Sequence, residues 1–314
     1  MTAKERDILY FIKFVWYIGI MLLFEKITEK SIPVLKKYLN KTTYYSCENT
    51  FGFIYLWSAA ENHYICEQDE VLFVMSIRDG NANFYYPFGD KITDNDIEKI
   101  EEYCLNNMLK LCFWHVPQEN VDTLENYFKG RLKLTADRNW ADYLYSYEEL
   151  LNLSGKKLHA QKNHFNQFIK TYNYEYVSYD DTKKALLADF FGEYYVVQNK
   201  ESQIFKSEKT VLDFVLSDFA STELTGGLLI VDGKVIGFSF GEKVGDTLYV
   251  HFEKALKEYR GSYAAANKLF LEMCYSKELV YVNREEDVGD ENLRETKLRL
   301  RPVRLVDKYF GEVE

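Results

Sequence analysis

Residues 226–253 read GGLLIVDGKVIGFSFGEKVGDTLYVHFE, and this stretch carries the pattern that decides the fold. Its three apolar runs are separated by Asp232-Gly233 and by Gly245-Asp246. Short glycine-containing pairs between apolar runs are the strongest local signal of β-hairpins. The stretch therefore predicts three successive antiparallel strands, the last of which is TLYVHFE.

The residues on either side of these strands repeat one order of elements. From Met21, and again from Asn173, the hydrophobic periodicity predicts strand, helix, helix, three strands, helix, strand, helix and strand. In the first pass, Thr93 followed by Asp96 marks a helix start that is close to a capping box. The polar stretch that joins the passes, SGKKLHAQKNHFNQFIKTY (154–172), has apolar residues at helical spacing and predicts a helix.

This element order is that of the GNAT fold, the fold of acyl-CoA N-acyltransferases. We therefore predict an α+β chain of two tandem GNAT-like domains, residues 21–155 and residues 156–314. The candidate chemistry lies in the second domain, and the first is predicted to be non-catalytic.

An apolar stretch, ILYFIKFVWYIGIMLLF (8–24), precedes the first predicted strand. It is at the lower limit of length for a bilayer-spanning helix, contains Lys13, and is not followed by a small-residue cleavage site. Three interpretations stay open for residues 1–20: a dispensable extension before a natural start at Met21, a packed element, or a membrane anchor.

The overall charge and the cysteine pattern exclude several classes of protein. The formal net charge is -10, so any nucleic-acid partner requires a local basic patch. The five cysteines are odd in number and form no C-x-x-C pair, which argues against a disulfide framework or a zinc site. We expect them to be buried in a protein of the reducing cytoplasm, and we predict no metal site.

The turn that follows TLYVHFE is the main candidate site. It reads KEYRGSY (257–263), and the next helix is predicted to begin at Gly261. In the GNAT fold the pyrophosphate of the donor rests on this helix, whose free N–H groups and positive dipole end favour an anion. Arg260 adds a charge-assisted hydrogen-bond donor, and Gly261 and Ser262 are the small residues that an anion-binding turn needs, so Ser262 is also a candidate donor-binding residue. The alternative is an ordinary helix start with Ser262 as its N-cap.

Strand alternation adds a candidate acid–base pair. In TLYVHFE, alternation places His251 and Glu253 on one face of the strand, close enough to line one cleft. A histidine and a carboxylate there would deprotonate an amine nucleophile. The alternative is a polar pair with purely structural hydrogen bonds.

Two local runs of positive charge interrupt the acidic composition. Charge runs are usually solvated faces, but in an acidic protein they are also candidate binding sites for a polyanion such as tRNA. The candidate residues are Lys156, Lys157 and Lys162 in the connecting stretch, and Arg294, Lys297, Arg299 and Arg301 near the C-terminus.

The first half has no equivalent of the 257–263 turn. Its corresponding stretch reads YYPFGDKITDND, where Asp90, Asp94 and Asp96 crowd the predicted helix start. These carboxylates would occupy or repel a phosphate site, so only the second half is expected to bind a donor.

Four stretches carry a resemblance to a known family. GKKLHAQKNHFNQF (155–168), HFEKALKEYRGSYAAAN (251–267), YVNREEDVG (281–289) and LRETKLRLRPVRLVDKY (293–309) closely resemble bacterial proteins related to the C-terminal domain of phosphatidylglycerol lysyltransferase. The resemblance implies a tandem GNAT-like fold, akin to the peptidoglycan-bridge aminoacyltransferases. Relatives of known activity pass an amino acid from aminoacyl-tRNA to an amine or hydroxyl. The sequence shows no counterpart of the membrane-embedded flippase portion of the lysyltransferase, so the resemblance does not by itself imply lipid modification.

The resemblance also implies a set of donor-binding residues. These are Arg260, Gly261, Tyr263 and Asn267 around the turn, with Asn283, Arg284, Glu285 and Asp287 beside it and Glu253 on the strand before it. Compared with the acetyl-CoA pattern, Glu258 stands where a basic or amide residue is usual, and Tyr263 where a small residue is usual.

The sequence therefore predicts an acyltransferase, with aminoacyl transfer from aminoacyl-tRNA as the first hypothesis. Acetyl-CoA-dependent N-acetylation and a non-catalytic binding module are the alternatives. No tightly bound cofactor is expected, because aminoacyl-tRNA or acyl-CoA would be a co-substrate. The acceptor is an unspecified small molecule, lipid or peptide, and membrane contact is expected only through residues 8–24.

Overall fold

The computed structural model describes residues 21–40, 44–195 and 203–314. The helices are α1 (Ile32–Leu39), α2 (Phe51–Trp57), α3 (Asp94–Asn106), α4 (Val121–Phe128), α5 (Tyr147–Asn152), α6 (His159–Thr171), α7 (Lys184–Tyr194), α8 (Gln203–Ser217), α9 (Phe219–Thr222), α10 (Ser262–Met273) and α11 (Glu291–Arg299). The strands are β1 (Glu25–Lys26), β2 (His63–Gln68), β3 (Val71–Arg78), β4 (Asn81–Phe84), β5 (Lys110–Pro117), β6 (Thr135–Ala136), β7 (Asp142–Ser146), β8 (Tyr174–Ser178), β9 (Thr225–Val231), β10 (Lys234–Val244), β11 (Thr247–Ala255), β12 (Tyr281–Asn283), β13 (Arg304–Val306) and β14 (Lys308–Glu312).

The chain forms two compact units, each built on one sheet. Of the described residues, the first unit contains residues 21–28, Asn62–Thr135 and Tyr309–Glu314, and the second contains Glu29–Glu61 and Ala136–Lys308. This division differs from the predicted boundary at residue 155, because α1, α2, β7 and α5 belong to the second unit. A local pattern identifies a strand or helix but not the sheet on which it packs.

The first unit has the strand order β1-β2-β3-β4-β5-β14-β6. β2, β3 and β4 are antiparallel neighbours, and β5 runs parallel to β4. Its core consists of apolar residues of β3 to β5 together with the inner faces of α3 and α4, such as Ile97 and Leu124. The amphipathic period of these two helices, read from the sequence, is the reason for this packing.

The second unit has the strand order β13-β7-β12-β11-β10-β9-β8. β8 to β11 are antiparallel neighbours, and β12 runs parallel to β11. α10 returns from β11 to β12 and packs Phe270 and Leu271 against Leu248 and Val250 of the sheet. The run of five strands thus repeats that of the first unit, as the sequence predicts.

Most predicted elements are confirmed, and the differences are local. β1 and β6 are only two residues long, and the single strand predicted near the C-terminus is two strands, one in each sheet. β7 and α5 lie in residues 137–153, for which the sequence pattern predicts no element.

The three interpretations of residues 1–20 concern residues outside those that the structure describes. Within the described ranges, no helix has the length and apolar character needed to cross a bilayer.

Candidate functional site

β11 and β12 diverge at the centre of the second unit. Their parallel pairing ends at Tyr249 and Asn283, whereas β11 continues to Ala255. β12 also pairs with β7 on its other side, and this contact continues past Asn283, since the Arg284 N–H donates to the carbonyl of Tyr143. The predicted site residues on β11 lie where the two strands have separated.

A β-bulge on β11 interrupts the alternation that the sequence analysis assumes. Phe240 of β10 is opposite Phe252, whereas Gly241 is opposite Val250, so His251 has no partner in the ladder. A bulge of this kind changes which face the following side chains occupy.

His251 lies on the same side as α2, between two carboxylates. Its Nδ1 is 2.8 Å from Oε1 of Glu285, and its Nε2 is 3.0 Å from Oε1 of Glu242. The Gly52 N–H in the first turn of α2 also donates to Glu242, at 2.9 Å. Burial lowers the pKa of His251, but the two carboxylates raise it to about 10. The ring is therefore an imidazolium at neutral pH.

This arrangement corrects the predicted role of His251 as a general base. A base needs a free nitrogen that can accept a proton. Both nitrogens of His251 donate to carboxylates, and its side chain is only 2% exposed. In the structure His251 positions Glu242 and Glu285.

Glu253 forms a separate network on the side of α10. Its Oε1 accepts a hydrogen bond from Arg284 at 2.5 Å, and its Oε2 accepts one from Asn267 of α10 at 3.3 Å. The prediction that His251 and Glu253 line one cleft is therefore wrong, and the bulge between them is the reason. The predicted residues Asn267 and Arg284 do meet at Glu253.

A buried lysine, Lys297, binds the backbone of the loop after β12. The Lys297 ammonium donates to the carbonyls of Arg284 at 2.6 Å, Glu285 at 3.1 Å and Glu286 at 2.5 Å. Burial lowers the pKa of Lys297 to about 8. Glu285 has a positive φ of 56°, an unfavourable conformation that these contacts hold in place. Lys297 therefore supports the loop, and the prediction that it binds a polyanion is wrong.

Asp287 anchors the far end of the same loop. It is fully buried, accepts the Tyr143 hydroxyl at 2.5 Å, and pairs with Arg294 at 2.7 Å and Arg138 at 3.2 Å. Despite burial, these partners hold the pKa of Asp287 well below its usual range. Asp287 is thus placed as a structural anchor rather than as a donor contact. Arg294, predicted to bind a polyanion, is committed to this carboxylate.

The sequence analysis missed a buried cluster around Lys308. The Lys308 ammonium donates to Glu48 at 2.5 Å, Asp142 at 2.7 Å and Glu286 at 3.2 Å, and all four side chains are at most 12% exposed. Burial lowers the pKa of Lys308, but the carboxylates raise it well above its usual value. Asn283, predicted to bind the donor, instead donates to Asp142 at 2.9 Å.

The same cluster contains the described group best suited to a metal ion. The ligand atoms of Cys47, Glu48 and Glu286 lie within 4.8 Å of one another. Lys308 Nζ is 3.5 Å from the Cys47 sulfur and already supplies these carboxylates with a cation. Burial raises the pKa of the Cys47 thiol well above its usual value, which makes it a poor nucleophile. All five cysteines of the chain are free and buried.

The 257–263 turn leads into α10 with Gly261 as the N-cap, in the left-handed conformation. No side chain caps the helix: the Ser262 hydroxyl donates to the Leu256 carbonyl at 2.8 Å. The alternative of Ser262 as N-cap is therefore wrong. The first-turn N–H groups of Tyr263 and Ala264 have no carbonyl within the helix to bind.

A cavity of about 500 Å³ lies over this helix start. Lys257, Arg260 and Gly261 of the turn line it on one side, and Gln161 and His164 of α6 line it on the other. The Arg260 side chain is exposed. The structure thus places the predicted turn residues at one opening, apart from the Asn283–Asp287 loop.

Gly261 is required by the contact between the turn and α6. Its φ is +88°, and a Cβ there would lie 2.4 Å from the carbonyl oxygen of His164. We expect Gly261→Ala to destabilise the second unit by roughly 1–3 kcal/mol, since it adds backbone strain and a backbone clash. Gly233→Ala is the control, because Gly233 has a φ of +81° and open space around it. Urea unfolding of both variants checks this, and equal losses would refute the role of the α6 contact.

The remaining predicted cations divide into two groups. Lys156, Lys157 and Lys162 are exposed on α6 and the turn before it. Arg299 pairs with Glu295 at 2.6 Å, while Arg301 is exposed. In the patch at the start of α6, all three predicted cations are exposed and available to a ligand. In the C-terminal patch, Lys297 is buried and Arg294 and Arg299 are paired with carboxylates.

The first unit differs from the second at the equivalent helix start. The Asp96 carboxylate accepts the Thr93 N–H at 3.0 Å and pairs with Lys99 at 3.1 Å, so α3 begins with the predicted capping box. The site that an anion would need is therefore filled by the protein's own carboxylate.

Comparison with known proteins places this arrangement in a family. The family model described as phosphatidylglycerol lysyltransferase, C-terminal, matches residues 40–311. The chain belongs to the phosphatidylglycerol lysyltransferase C-terminal family. The resemblance stated from the sequence is thus confirmed, and so is the α+β GNAT-like fold.

Solved structures and one curated relative agree with this assignment. A conserved protein of unknown function from Bacteroides thetaiotaomicron is 29% identical, with a TM-score of 0.86, and the match covers 94% of this chain and 100% of that one. L-PGS from Bacillus licheniformis has a TM-score of 0.68 at 10% identity, over 92% and 93% of the two chains. An uncharacterised protein of Mycoplasmoides gallisepticum is 24% identical over 55% of this chain, and the match spans only 56% of that relative.

The family and the fold together indicate an acyltransferase. The sequence analysis missed Lys308 with its partners Glu48, Asp142 and Glu286, and it missed Glu242, which contacts His251. Their sequence signals are weak, because Cys47, Glu48 and Asp142 stand far from Lys308 in the chain.

Proposed function

We propose that this member of the phosphatidylglycerol lysyltransferase C-terminal family transfers an aminoacyl group from aminoacyl-tRNA to an amine or hydroxyl acceptor. The observation that carries the proposal is the 500 Å³ cavity over the start of α10, lined by Lys257 and Arg260. In this proposal the acceptor end of the tRNA enters the cavity and its phosphates meet the turn.

Electrostatics supports an anionic donor at this place. Free N–H groups at a helix start favour an anion by roughly 0.3–1 kcal/mol when exposed. Lys257 and Arg260 add two positive charges at the same opening. The lysines of α6 extend the positive surface, since Gln161 and His164 of that helix line the cavity wall. A local surface of this kind offsets the repulsion that a net charge of -10 imposes on RNA.

The proposed catalysis depends on positioning rather than on an acid–base pair. The bulge at His251 leaves backbone groups of β11 outside the ladder, beside the separated end of β12. N–H groups fixed in this way stabilise an oxyanion as a carbonyl is attacked. Glu253, paired with Arg284, stays the candidate for contact with the acceptor amine.

One observation favours acetyl-CoA as a second candidate donor. The side chain of Tyr263 interacts with Tyr194, a contact that directs its hydroxyl toward α7. Tyr263 also lines the cavity, so in this second proposal the contact with Tyr194 is what leaves room for the donor. Stabilisation by CoA, with no binding of aminoacyl-tRNA, would favour this second candidate.

Arg260→Glu tests the donor site. We expect at least a tenfold loss of aminoacyl-tRNA affinity, because a charge that meets phosphate is reversed. We also expect the slope of log affinity against log salt to fall by about one for the neutral variant Arg260→Gln, as for one lost phosphate contact. Fluorescence titration of the full chain with labelled aminoacyl-tRNA measures both.

Lys277→Glu is the matched control. It reverses an exposed charge beyond the opposite end of α10 and should leave affinity within twofold of the wild type. Wild-type affinity in Arg260→Glu would exclude the turn as the donor site. Tight CoA binding that Arg260→Glu abolishes would keep the site and change its donor.

We further propose that the protein works in the cytoplasm, where its five buried free thiols stay reduced. Fractionation of cells that express the full chain checks this, and recovery in the membrane fraction would contradict it.

A further inference from the structure

A second opening, between α7 and α8, belongs to none of the sites described above. It has a volume of about 520 Å³, within the range of small-molecule sites, and shares no residue with the cavity over α10. One face of each helix lines it, and the two faces are connected by a contact between the rings of Tyr195 and Phe205. We call this opening the α7/α8 groove.

The groove is apolar and aromatic at the end where the two helices meet. Phe191 stacks on Tyr195 with ring centroids 5.2 Å apart, and Phe205 meets Tyr195 edge to face at the same centroid distance. Ala188 and Leu216 continue the apolar lining. Such a surface binds a hydrocarbon body and offers few hydrogen bonds.

The other end of the α7 face carries one uncompensated positive charge. Lys209 pairs with Asp213 at 2.6 Å, so their charges offset each other. Lys184 lines the groove and makes no ion pair with any residue that the structure describes. It is separated from Tyr195 by 11 residues of helix, or about 16 Å. Charge and apolar surface are thus separated along the groove.

We propose that the α7/α8 groove binds a straight-chain amphiphile with a single negative charge, its hydrocarbon chain against the aromatic end and its anionic group at Lys184. The assignment is independent of aminoacyl transfer, because it rests on a separate opening. The shared chemistry, a carboxylate or phosphate on an alkyl chain, defines the ligand class.

A substitution at Gly192 would change the groove directly. Gly192 lies between Phe191 and Tyr195 at the aromatic end of the groove, and a Cβ built on it meets nothing within 4 Å. A larger side chain there would project into open space. Replacing a glycine within a helix also improves helix propensity, so the variant should fold.

Calorimetric titration of the full chain with dodecanoate, below its micelle concentration, tests the proposal. We expect dodecanoate to bind at least tenfold more tightly than dodecyltrimethylammonium. Across octanoate, decanoate and dodecanoate, affinity should rise by about three- to fourfold per methylene, as for a buried chain. Gly192→Leu and Lys184→Glu should each weaken dodecanoate binding at least tenfold.

Two control variants separate the groove from general effects. Ala185→Leu adds the same side chain at an exposed position of α7 outside the groove, and Lys277→Glu makes the same charge change elsewhere. Both should bind dodecanoate as the wild type does. The proposal is overturned if wild-type protein does not bind dodecanoate, or if neither Gly192→Leu nor Lys184→Glu weakens binding. Should Gly192→Leu fold poorly, Lys184→Glu alone decides, because it changes only an exposed charge.

Discussion

Replacing Lys308 by methionine is expected to lower the free energy of unfolding by about 3–5 kcal/mol. Methionine keeps an unbranched apolar side chain but removes the ammonium that pairs with Glu48, Asp142 and Glu286. Asp142 is fully buried, and burial already raises its pKa and that of Glu286. The variant would remove the cation that these three carboxylates share.

The pH dependence of the loss distinguishes charge from packing. Without Lys308, the buried carboxylates take up protons at higher pH than in the unfolded chain. The folded state then binds more protons than the unfolded state, so stability rises as the pH falls from 7 toward 5. A loss caused by packing alone would not change with pH. Urea unfolding at several pH values measures this.

A second substitution gives the sharper control. In Lys308→Met/Asp142→Asn the number of uncompensated charges falls by one, and we expect roughly 1–3 kcal/mol of the loss to return. Lys243→Met, at an exposed position of β10, should change stability by less than about 0.5 kcal/mol. An equal loss in the single and double variants would contradict the electrostatic account. Lys308→Arg keeps the charge, so on the electrostatic account it should lose less stability than Lys308→Met.

The Lys308 cluster also shows where prediction from the sequence ends. Hairpins, the capping box at Thr93 and the helix at Val121–Phe128 were predictable, because each depends on neighbours in the chain. Lys308, Glu48 and Asp142 are separated by more than 90 residues from one another, and no local pattern connects them. Charged residues are also predicted to lie on the surface, since they are rarely buried unless paired.

The candidate site shows the same limit on a smaller scale. The turn at Gly261 was predictable from strand, turn and helix in succession. The face of Glu253 was not, because one residue of bulge at His251 reverses an alternation that is otherwise regular. The predicted role of Lys297 was wrong for a related reason. Lys297 stands in a run of cations that is typical of a solvent-exposed face, but its ammonium binds the carbonyls of residues 284–286.

The second large expected effect concerns His251: the free energy of unfolding should fall as the pH rises from 6.5 to 8. Its pKa is raised from 6.5 to about 10 in the folded protein, where Glu242 and Glu285 bind the imidazolium. The folded state therefore keeps a proton that the unfolded state releases above pH 6.5. The stabilisation is fully present below pH 6.5 and is lost as the pH rises toward 10.

The expected slope follows from one proton. While the folded state holds one more proton than the unfolded state, stability falls by about 1.4 kcal/mol per pH unit, or about 2 kcal/mol between pH 6.5 and 8. Lys297 acts in the opposite direction above pH 8, because burial lowers its pKa from 10.5 to about 8. Its unfolded form then holds the extra proton, which offsets the slope of His251. The curve should therefore flatten above pH 8.

His251→Gln isolates this contribution. Glutamine has one amide that donates to a carboxylate but never carries a charge, so Glu242 and Glu285 lose their shared cation. We expect the variant to lose several kcal/mol at pH 6.5, and the difference from the wild type to shrink by about 2 kcal/mol at pH 8. His159→Gln, at an exposed position of α6, is the control and should leave the curve unchanged. A wild-type curve that is flat between pH 6.5 and 8 would mean that His251 is neutral when folded. Both ring nitrogens would still lie against carboxylates, so loss of the charge alone would not make His251 a base.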